Sequence, residues 1–247
     1  MNNSKVTMES LGAVVRTNGN QVNRQVAAFF DVDGTLVNST IVHYYVRFRL
    51  QLLHPLIRPF WLAGFLLKIP YYLLLDNLSR TKFNQVFYRN YRGMEVERLK
   101  RLALDTFDAL LGSKIFPEGA DQVREHKAKG DLVVLVTGSL DFIMAPLADY
   151  LDADHTLSMS LTEHHGKFTG ELMTTPLGEE EKARVAKAFA HEHGIDLAAS
   201  FAYGDSRADL PMLRCVGTPV VVNPGKALRQ IATESGWKIC EWSSKPD

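Results

Sequence analysis

AAFFDVDGTLV, residues 27–37, is the stretch that decides the fold of this chain. The apolar run Val26 to Phe30 is typical of a short strand buried in a parallel sheet, and Gly34 lets the backbone turn directly afterwards. Alternation along the strand places Asp31 and Asp33 on the same side. At the carboxyl end of a strand in a doubly wound sheet, two such carboxylates face the crevice that binds ligands, and they favour a hard cation such as Mg²⁺. The alternative is an Asp-rich turn that only caps the strand.

The composition is that of an ordinary globular protein. The 247 residues are 46% hydrophobic and 23% charged, which is enough to bury a core in one large or two small domains. The 28 basic and 28 acidic residues cancel, so no overall basic field favours nucleic acid, and we expect no nucleic-acid partner. Cys215 and Cys240 lack metal-ligand spacing and favour a reducing compartment. We therefore expect a cytoplasmic protein, placed at the inner face of a membrane if its apolar segment contacts lipid.

The polarity pattern divides the chain into segments. Residues 1–25 are polar and lack the apolar core of a secretory signal, so we expect a disordered leader there. Apolar helical periodicity without strand signals fills the middle of the chain, and strands alternate with helices from Asp131 onward. We expect an α/β fold, a doubly wound parallel sheet of Rossmann-like type formed by residues 26–38 and 116–243, with an all-helical cap inserted at residues 39–115.

Residues 50–75 read LQLLHPLIRPFWLAGFLLKIPYYLLL and are almost wholly apolar. Three prolines and two cations interrupt the run, which argues against a straight transmembrane helix. Two arrangements stay open: a kinked pair of helices packed into the cap, or a hairpin in the membrane interface with peripheral contact through residues 47–75. In the second arrangement, the cations that face lipid phosphates are Arg47, Arg49, Arg58 and Lys68.

Two further apolar strands end in polar groups. Leu132 to Val136 runs into Thr137-Gly138-Ser139, and Ser200 to Tyr203 runs into a loop that carries Asp205 and Asp209. The carboxyl ends of parallel strands meet at one edge of a sheet. We therefore expect the polar side chains that follow all three strands to share one crevice.

These residue types suit phosphoryl transfer. Asp205 would supply the third carboxylate of a Mg²⁺ site, since this ion also accepts water and phosphate oxygens. Lys182, near the start of a charged helix, would hold Asp31 ionised and neutralise a phosphoryl oxygen, to which Thr137 donates a hydrogen bond. Asp31 would attack phosphorus and form an aspartyl-phosphate, while Asp33 protonates the leaving alkoxide and later deprotonates water.

The motifs DVDGTLV, VLVTGS, EEKARVA and YGDSRADLPML occur in this order along the chain. They resemble the four motifs of the haloacid dehalogenase-like (HAD) phosphatase superfamily, and the helical insertion after the first motif resembles the cap of its phosphoserine phosphatase-like branch, subfamily IB. The resemblance implies a phosphatase with Asp31 as nucleophile and Asp33 as acid/base. It also implies Mg²⁺ binding by Asp31, the Asp33 backbone carbonyl and Asp205, with Asp209 in the second metal shell. Phosphate binding would fall to Thr137, Gly138, Ser139 and Lys182.

The composition of the cap indicates the class of substrate. Residues 41–75 contain no acidic residue and are rich in Leu, Phe, Tyr and Trp. Arg80 and Lys82 could reach over the site to grip a substrate anion, or they could lie on a solvated helix face. A basic and apolar cap suits a hydrophobic or lipid-like phosphomonoester. Two alternatives stay open: a small-metabolite phosphatase with a phosphoserine-like substrate, and a membrane-attached interaction protein that retains an ancestral site.

Overall fold

A computed structural model describes residues 25–243 of the chain, so the expected leader lies outside the described residues. The strands are β1 (Ala27–Phe30), β2 (Leu132–Leu140), β3 (His155–Met159), β4 (Leu161–His164), β5 (Lys167–Leu172), β6 (Phe201–Gly204), β7 (Thr218–Val222) and β8 (Lys238–Cys240). Six of them form one parallel sheet in the order β3-β2-β1-β6-β7-β8, and β4 pairs with β5 as an antiparallel hairpin. The predicted doubly wound parallel sheet is confirmed.

The helices are α1 (Ile41–Leu52), α2 (Arg58–Leu66), α3 (Ile69–Leu78), α4 (Arg80–Phe87), α5 (Val96–Asp105), α6 (Phe107–Leu110), α7 (Pro117–Lys129), α8 (Asp141–Leu151), α9 (Glu179–Glu192), α10 (Leu210–Leu213) and α11 (Lys226–Glu234). Both faces of β1 are covered. Ala28 and Phe30 belong to one buried cluster, and Ala27 and Phe29 belong to the other. A strand that is buried on both faces needs an unbroken apolar run, which explains why the AAFF sequence does not alternate.

The helices α1 to α6 form an insertion between β1 and α7, and an aromatic cluster holds it together. Tyr45 lies 5.1 Å from Tyr91 and 5.6 Å from Phe87 between ring centroids. Tyr72 lies 5.4 Å from Phe87 and 6.1 Å from Phe65. Aromatic pairs at these separations add to the stabilisation from burial alone. These side chains hold the insertion together and are continuous with the buried cluster that covers one face of β1.

The chain enters and leaves this insertion at adjacent points. Val37 and Ile115 form an isolated antiparallel bridge. Beside it, the Asn38 amide donates to the Lys114 carbonyl at 2.9 Å, and the Phe116 amide donates to the Leu36 carbonyl at 2.9 Å. We call this pair of segments, residues 36–38 and 114–116, the clasp. It joins the insertion to the loop that follows β1.

The apolar segment 50–75 is divided between a packed side and an exposed side. Its prolines stand where the sequence predicts breaks, because Pro59 and Pro70 occupy the first turns of α2 and α3. Phe65 and Tyr72 are buried in the aromatic cluster, whereas Phe60 is 79% exposed. Within the described residues, no helix is long and apolar enough to cross a bilayer. The segment thus consists of short helices that each bury only one face.

Candidate active site

A cavity of about 220 Å³ opens at the sheet edge where β1, β2 and β6 end. Six of the residues predicted from the sequence line it: Asp31, Asp33, Arg80, Gly138, Lys182 and Asp205. The other three predicted residues, Thr137, Ser139 and Asp209, are buried directly behind its wall. The parallel sheet therefore brings together groups that lie up to 178 positions apart, since Asp31 precedes Asp209 by that distance in the chain.

Lys182 lies between two buried carboxylates. Its Nζ donates to Asp31 Oδ1 at 2.5 Å and to Asp209 Oδ1 at 2.6 Å. Burial favours the neutral amine, but the two carboxylates outweigh this and raise the pKa of Lys182 above its ordinary value. The lysine therefore remains a cation inside the wall of the cavity.

Asp31 keeps one oxygen towards Lys182 and the other towards Thr35, whose hydroxyl donates to Oδ2 at 3.1 Å. Burial, with the Asp209 charge next, raises the pKa of Asp31 to about 7 against the opposing effect of Lys182. An additional cation at this carboxylate would favour its ionised form.

Asp209 has both carboxylate oxygens occupied by protein donors. Oδ1 accepts from Lys182, and Oδ2 accepts from the Ser206 amide at 3.0 Å and from the Ser206 hydroxyl at 2.7 Å. Although burial acts in the opposite direction, the Lys182 charge and these hydrogen bonds lower its pKa. A Cβ at Gly204 would lie 2.6 Å from the Asp209 Cβ, so the close approach requires glycine. Asp209 is thus placed to position Lys182 and the loop after β6, which contains Ser206.

The Asp33 carboxylate points to the opposite side of the cavity. Oδ1 accepts from the Tyr44 hydroxyl at 2.6 Å, and Oδ2 accepts from Ser139 Oγ at 2.5 Å and Thr137 Oγ1 at 3.3 Å. Burial raises the pKa of Asp33, while the donors Ser139 and Tyr44 oppose that rise. A carboxyl group with a raised pKa is suited to carry a proton to a leaving group.

The acidic groups form a site for a cation. One oxygen each of Asp31, Asp205 and Asp209 lie within 4.8 Å of one another. Burial and then the neighbouring carboxylates raise the pKa of Asp205 well above its ordinary value, and the charges of Lys182 and Arg80 only partly oppose this rise. Asp205 packs over Gly34, where a Cβ would lie 2.4 Å from its Oδ2. An all-oxygen donor set with excess negative charge fits a hard divalent cation.

The insertion is fastened to this edge through α4. The Glu179 carboxylate accepts from the Arg80 amide at 2.5 Å, the Thr81 amide at 3.3 Å and the Thr81 hydroxyl at 2.8 Å. It therefore satisfies the free amides at the positive end of the α4 dipole. Just past the end of α4, the Tyr88 hydroxyl donates to the Gly138 carbonyl at 2.7 Å. Helix α4 thus closes one side of the cavity.

Comparison with known proteins identifies the family. The sequence profile of the haloacid dehalogenase-like hydrolases matches residues 28–214. The chain belongs to this family. The hydrolase is 31% identical over 238 residues to a probable phosphatase of Mycobacterium tuberculosis, covering 91% of this chain and 78% of that protein. It is 30% identical over 233 residues to a phosphoserine phosphatase of the same species, covering 88% and 71%.

A solved structure shares the fold of the hydrolase. It is a phospho-aspartyl intermediate analogue of phosphoserine phosphatase, with a TM-score of 0.66, 19% identity, and coverage of 91% of this chain and 95% of that one. The prediction of a HAD-like hydrolase of the phosphatase type is confirmed by the family match and these relatives.

Sequence reasoning missed several residues of the hydrolase's site. The sequence leaves two positions open for Tyr44, a contact with substrate and the favoured position in the packed core. The residue is buried, and its hydroxyl contacts Asp33. Nothing in the sequence marked Tyr88 or Glu179 as contacts between insertion and core. Lys82, which seemed as able as Arg80 to reach the site, is exposed and does not line the cavity. Of these residues, only Tyr44 could have been found from the sequence, because it lies one turn into the helix that follows the first motif.

Proposed function

We propose that the protein is a Mg²⁺-dependent phosphomonoester hydrolase that works through an aspartyl-phosphate intermediate. The observation that carries the proposal is the arrangement of two carboxylates at one cavity: Asp31 beside the buried Lys182 cation, and Asp33 held on the other side by three hydroxyl donors. Two carboxyl groups in such different surroundings suit the two different roles of nucleophile and acid/base.

In the first step, an Asp31 oxygen attacks phosphorus and the bond from phosphorus to the leaving oxygen breaks. Asp33 gives its proton to the departing alkoxide. In the second step, Asp33 takes a proton from water as the water oxygen attacks phosphorus, and Asp31 is released. Lys182 remains charged throughout and, with Thr137 and the Gly138 and Ser139 segment, would bind the phosphoryl oxygens.

Asp31, Asp205 and the Asp33 backbone carbonyl would hold the Mg²⁺, with Asp209 behind them. When bound, the ion supplies positive charge next to the phosphoryl oxygens. The carboxylate cluster supports this assignment, because Lys182 alone cannot balance Asp31, Asp205 and Asp209.

The deciding experiment is phosphate release from p-nitrophenyl phosphate with Mg²⁺ and after removal of metal by EDTA. We expect turnover that EDTA abolishes and added Mg²⁺ restores. A protein that is folded and loaded with Mg²⁺ but releases no phosphate would instead fit an interaction protein that retains an ancestral site. Turnover that persists after complete metal removal would contradict the Mg²⁺ assignment alone.

For the substrate, we propose a hydrophobic or lipid-like phosphomonoester. The supporting observation is a second cavity of about 480 Å³ beneath α1 and α2, lined mostly by apolar side chains, including Val42, Val46, Leu62, Phe65 and Ile69. Arg47 and Lys114 also line it. It neighbours the catalytic cavity, because the first turn of α1 contributes Ile41 to one and Val42 to the other.

A small phosphoserine-like substrate is the second candidate, favoured by the relative named phosphoserine phosphatase and by the small catalytic cavity. A series of straight-chain alkyl phosphates separates the two candidates. If the apolar cavity takes the chain, kcat/KM rises by about fourfold for each methylene group that becomes buried. The Val46→Asp variant should flatten this rise, and the Leu104→Asp variant, changed at an exposed site elsewhere, should not. A flat series with high activity on phosphoserine would favour the small substrate.

A further inference from the structure

The outer side of α2 and α3 exposes large apolar side chains. Of the twelve large hydrophobic residues that are exposed among the described residues, nine lie between residues 56 and 78. We define the outer face by five of them that span the segment: Leu56, Phe60, Leu67, Leu74 and Leu78. Leu67 is 83% exposed and Leu78 is 72% exposed. A cluster of this kind marks an interaction site, whereas single exposed apolar residues need no explanation.

Both helices combine a buried aromatic residue with exposed apolar residues. Phe65 of α2 and Tyr72 of α3 contact each other at 6.1 Å between ring centroids, and both are buried towards the core of the insertion. Phe60 of α2, Leu67 at the break between the two helices and Leu74 of α3 are exposed. The segment therefore packs through its aromatic residues and leaves other large apolar side chains in contact with solvent.

The charge around this face is mostly positive, and Asp76, the acidic residue within the segment 56–78, is paired with Arg80 at 3.0 Å. Residues 41–75 contain Arg47, Arg49, Arg58 and Lys68 and no acidic residue. Arg47 and Lys68 are exposed, and neither forms an ion pair with any residue of the described range 25–243. An apolar surface with unpaired cations at its margin complements a layer of apolar chains below anionic headgroups.

We propose that the outer face docks on the surface of a bilayer that contains anionic lipids. The helices lie in the interface and do not span it, because α2 has 9 residues and α3 has 10, about half of what a span requires. A second copy of the chain fits less well. A twofold contact through this face would bring like cations of the two copies towards each other, while Asp76, the acidic residue of the segment, is already paired with Arg80.

Docking would also place the catalytic cavity near the lipid surface. Leu78 is the last residue of α3, and Arg80, two residues later, lines the cavity. Bilayer docking depends on the outer face and not on the catalytic cavity. The protein could therefore hydrolyse phosphomonoesters without binding a bilayer, or bind a bilayer without hydrolysing them.

The test is co-sedimentation of the full chain with vesicles of phosphatidylcholine and phosphatidylglycerol, compared with vesicles of phosphatidylcholine alone. We expect binding to the anionic vesicles at low salt, and weaker binding at high salt. The triple variant Phe60→Ser, Leu67→Ser, Leu74→Ser should lose affinity by on the order of a hundredfold, because three exposed apolar side chains no longer enter the interface. Lys68→Gln should weaken binding to anionic vesicles by about fivefold.

The matched control replaces exposed apolar residues elsewhere, with Leu104→Ser and Met173→Ser, which are 60% and 67% exposed in the parent. It should bind vesicles like the parent. Hydrolysis of p-nitrophenyl phosphate in solution reports whether each variant is folded. The proposal is overturned if the parent stays in the supernatant at low salt, or if the triple variant binds as well as the parent. It is also overturned if sedimentation velocity without lipid shows a dimer that the triple variant abolishes.

Discussion

The catalytic edge of the sheet buries charged side chains, whereas the outer face of the insertion exposes apolar ones. At the catalytic edge, Asp31, Lys182 and Asp209 are charged yet buried, and each has a partner of opposite charge. On the outer face, Phe60 and Leu67 are apolar yet exposed. Buried charge is costly unless it is paired, and clustered exposed apolar surface is rare in a monomer. Each departure identifies a surface shaped for something outside the chain.

The comparison predicts that the two regions respond to different measurements. Substitutions at the edge should alter turnover in solution and leave vesicle binding unchanged, and substitutions on the outer face should do the reverse. A variant that changes both would show that the regions are not separate. The predictions below run from the largest expected effect to the smallest.

Asp31→Asn should reduce turnover of p-nitrophenyl phosphate by on the order of 10⁴-fold or more, because an amide cannot form the aspartyl-phosphate. Phosphate release under saturating Mg²⁺ measures the loss. Asp121→Asn, at an exposed position on α7, is the control and should be unaffected. Residual activity within about tenfold of the parent would rule out Asp31 as the nucleophile.

Asp33→Asn should slow turnover by ~10²- to 10⁴-fold, because the leaving oxygen loses its proton donor. The loss should grow with the basicity of the leaving group, so alkyl phosphates should suffer more than p-nitrophenyl phosphate. Steady-state rates across a series of leaving groups give this dependence. An equal loss for every leaving group would mean that Asp33 shapes the site without transferring a proton.

Tyr44→Phe should lower kcat by about tenfold, because Asp33 loses one of its three hydroxyl donors. That donor lowers the pKa of Asp33, so its removal should raise this pKa further. The limb of the pH profile that requires protonated Asp33 should therefore move to higher pH. Tyr150→Phe, at an exposed position, is the control. A lower rate with an unshifted profile would indicate a packing role only.

Glu179→Gln should have the smallest effect, because the amide oxygen still accepts from α4 on one side, whereas the NH2 group on the other side cannot accept and the charge at the helix terminus is lost. We expect KM to rise by about threefold with kcat within about twofold of the parent. Glu180→Gln, at the next and exposed position, should change neither constant. A large fall in kcat at constant KM would show that Glu179 contributes to the chemical step. The insertion and the catalytic edge would then not be separate in function.

The sequence predicted the parts of the site that local pattern determines. Asp31, Asp33 and Asp205 follow apolar strands directly, so strand topology alone brings them to one edge. The contacts of Glu179 with α4 could not be predicted in this way, since they join residues 98 and 99 positions apart through the docking of two layers. Strand β8 was also missed, because its three residues include a lysine and carry too little pattern.

The apolar segment 50–75 shows a different limit of sequence reasoning. Its prolines predicted the breaks between helices, but the composition could not assign each residue to a side. From the sequence, Trp61 and Phe65 could contact lipid as well as Phe60 could. In the structure, their ring centroids lie 5.2 Å apart and both rings pack against Tyr45. On an α-helix, successive side chains point in directions about 100° apart, so neighbours such as Phe60 and Trp61 can have different environments. Only the packed structure shows which residues remain outside.

The clasp makes the insertion an exchangeable module. Its two segments lie side by side and are closed by backbone groups at residues 36–38 and 114–116, so the core meets the same two chain ends whatever lies between them. The entropy of closing a loop grows only slowly with its length, so a longer or shorter insertion could be accommodated there at little cost. A different insertion could therefore replace this one without moving a strand of the sheet, provided that it restores the contacts of Tyr44 with Asp33 and of Tyr88 with Gly138.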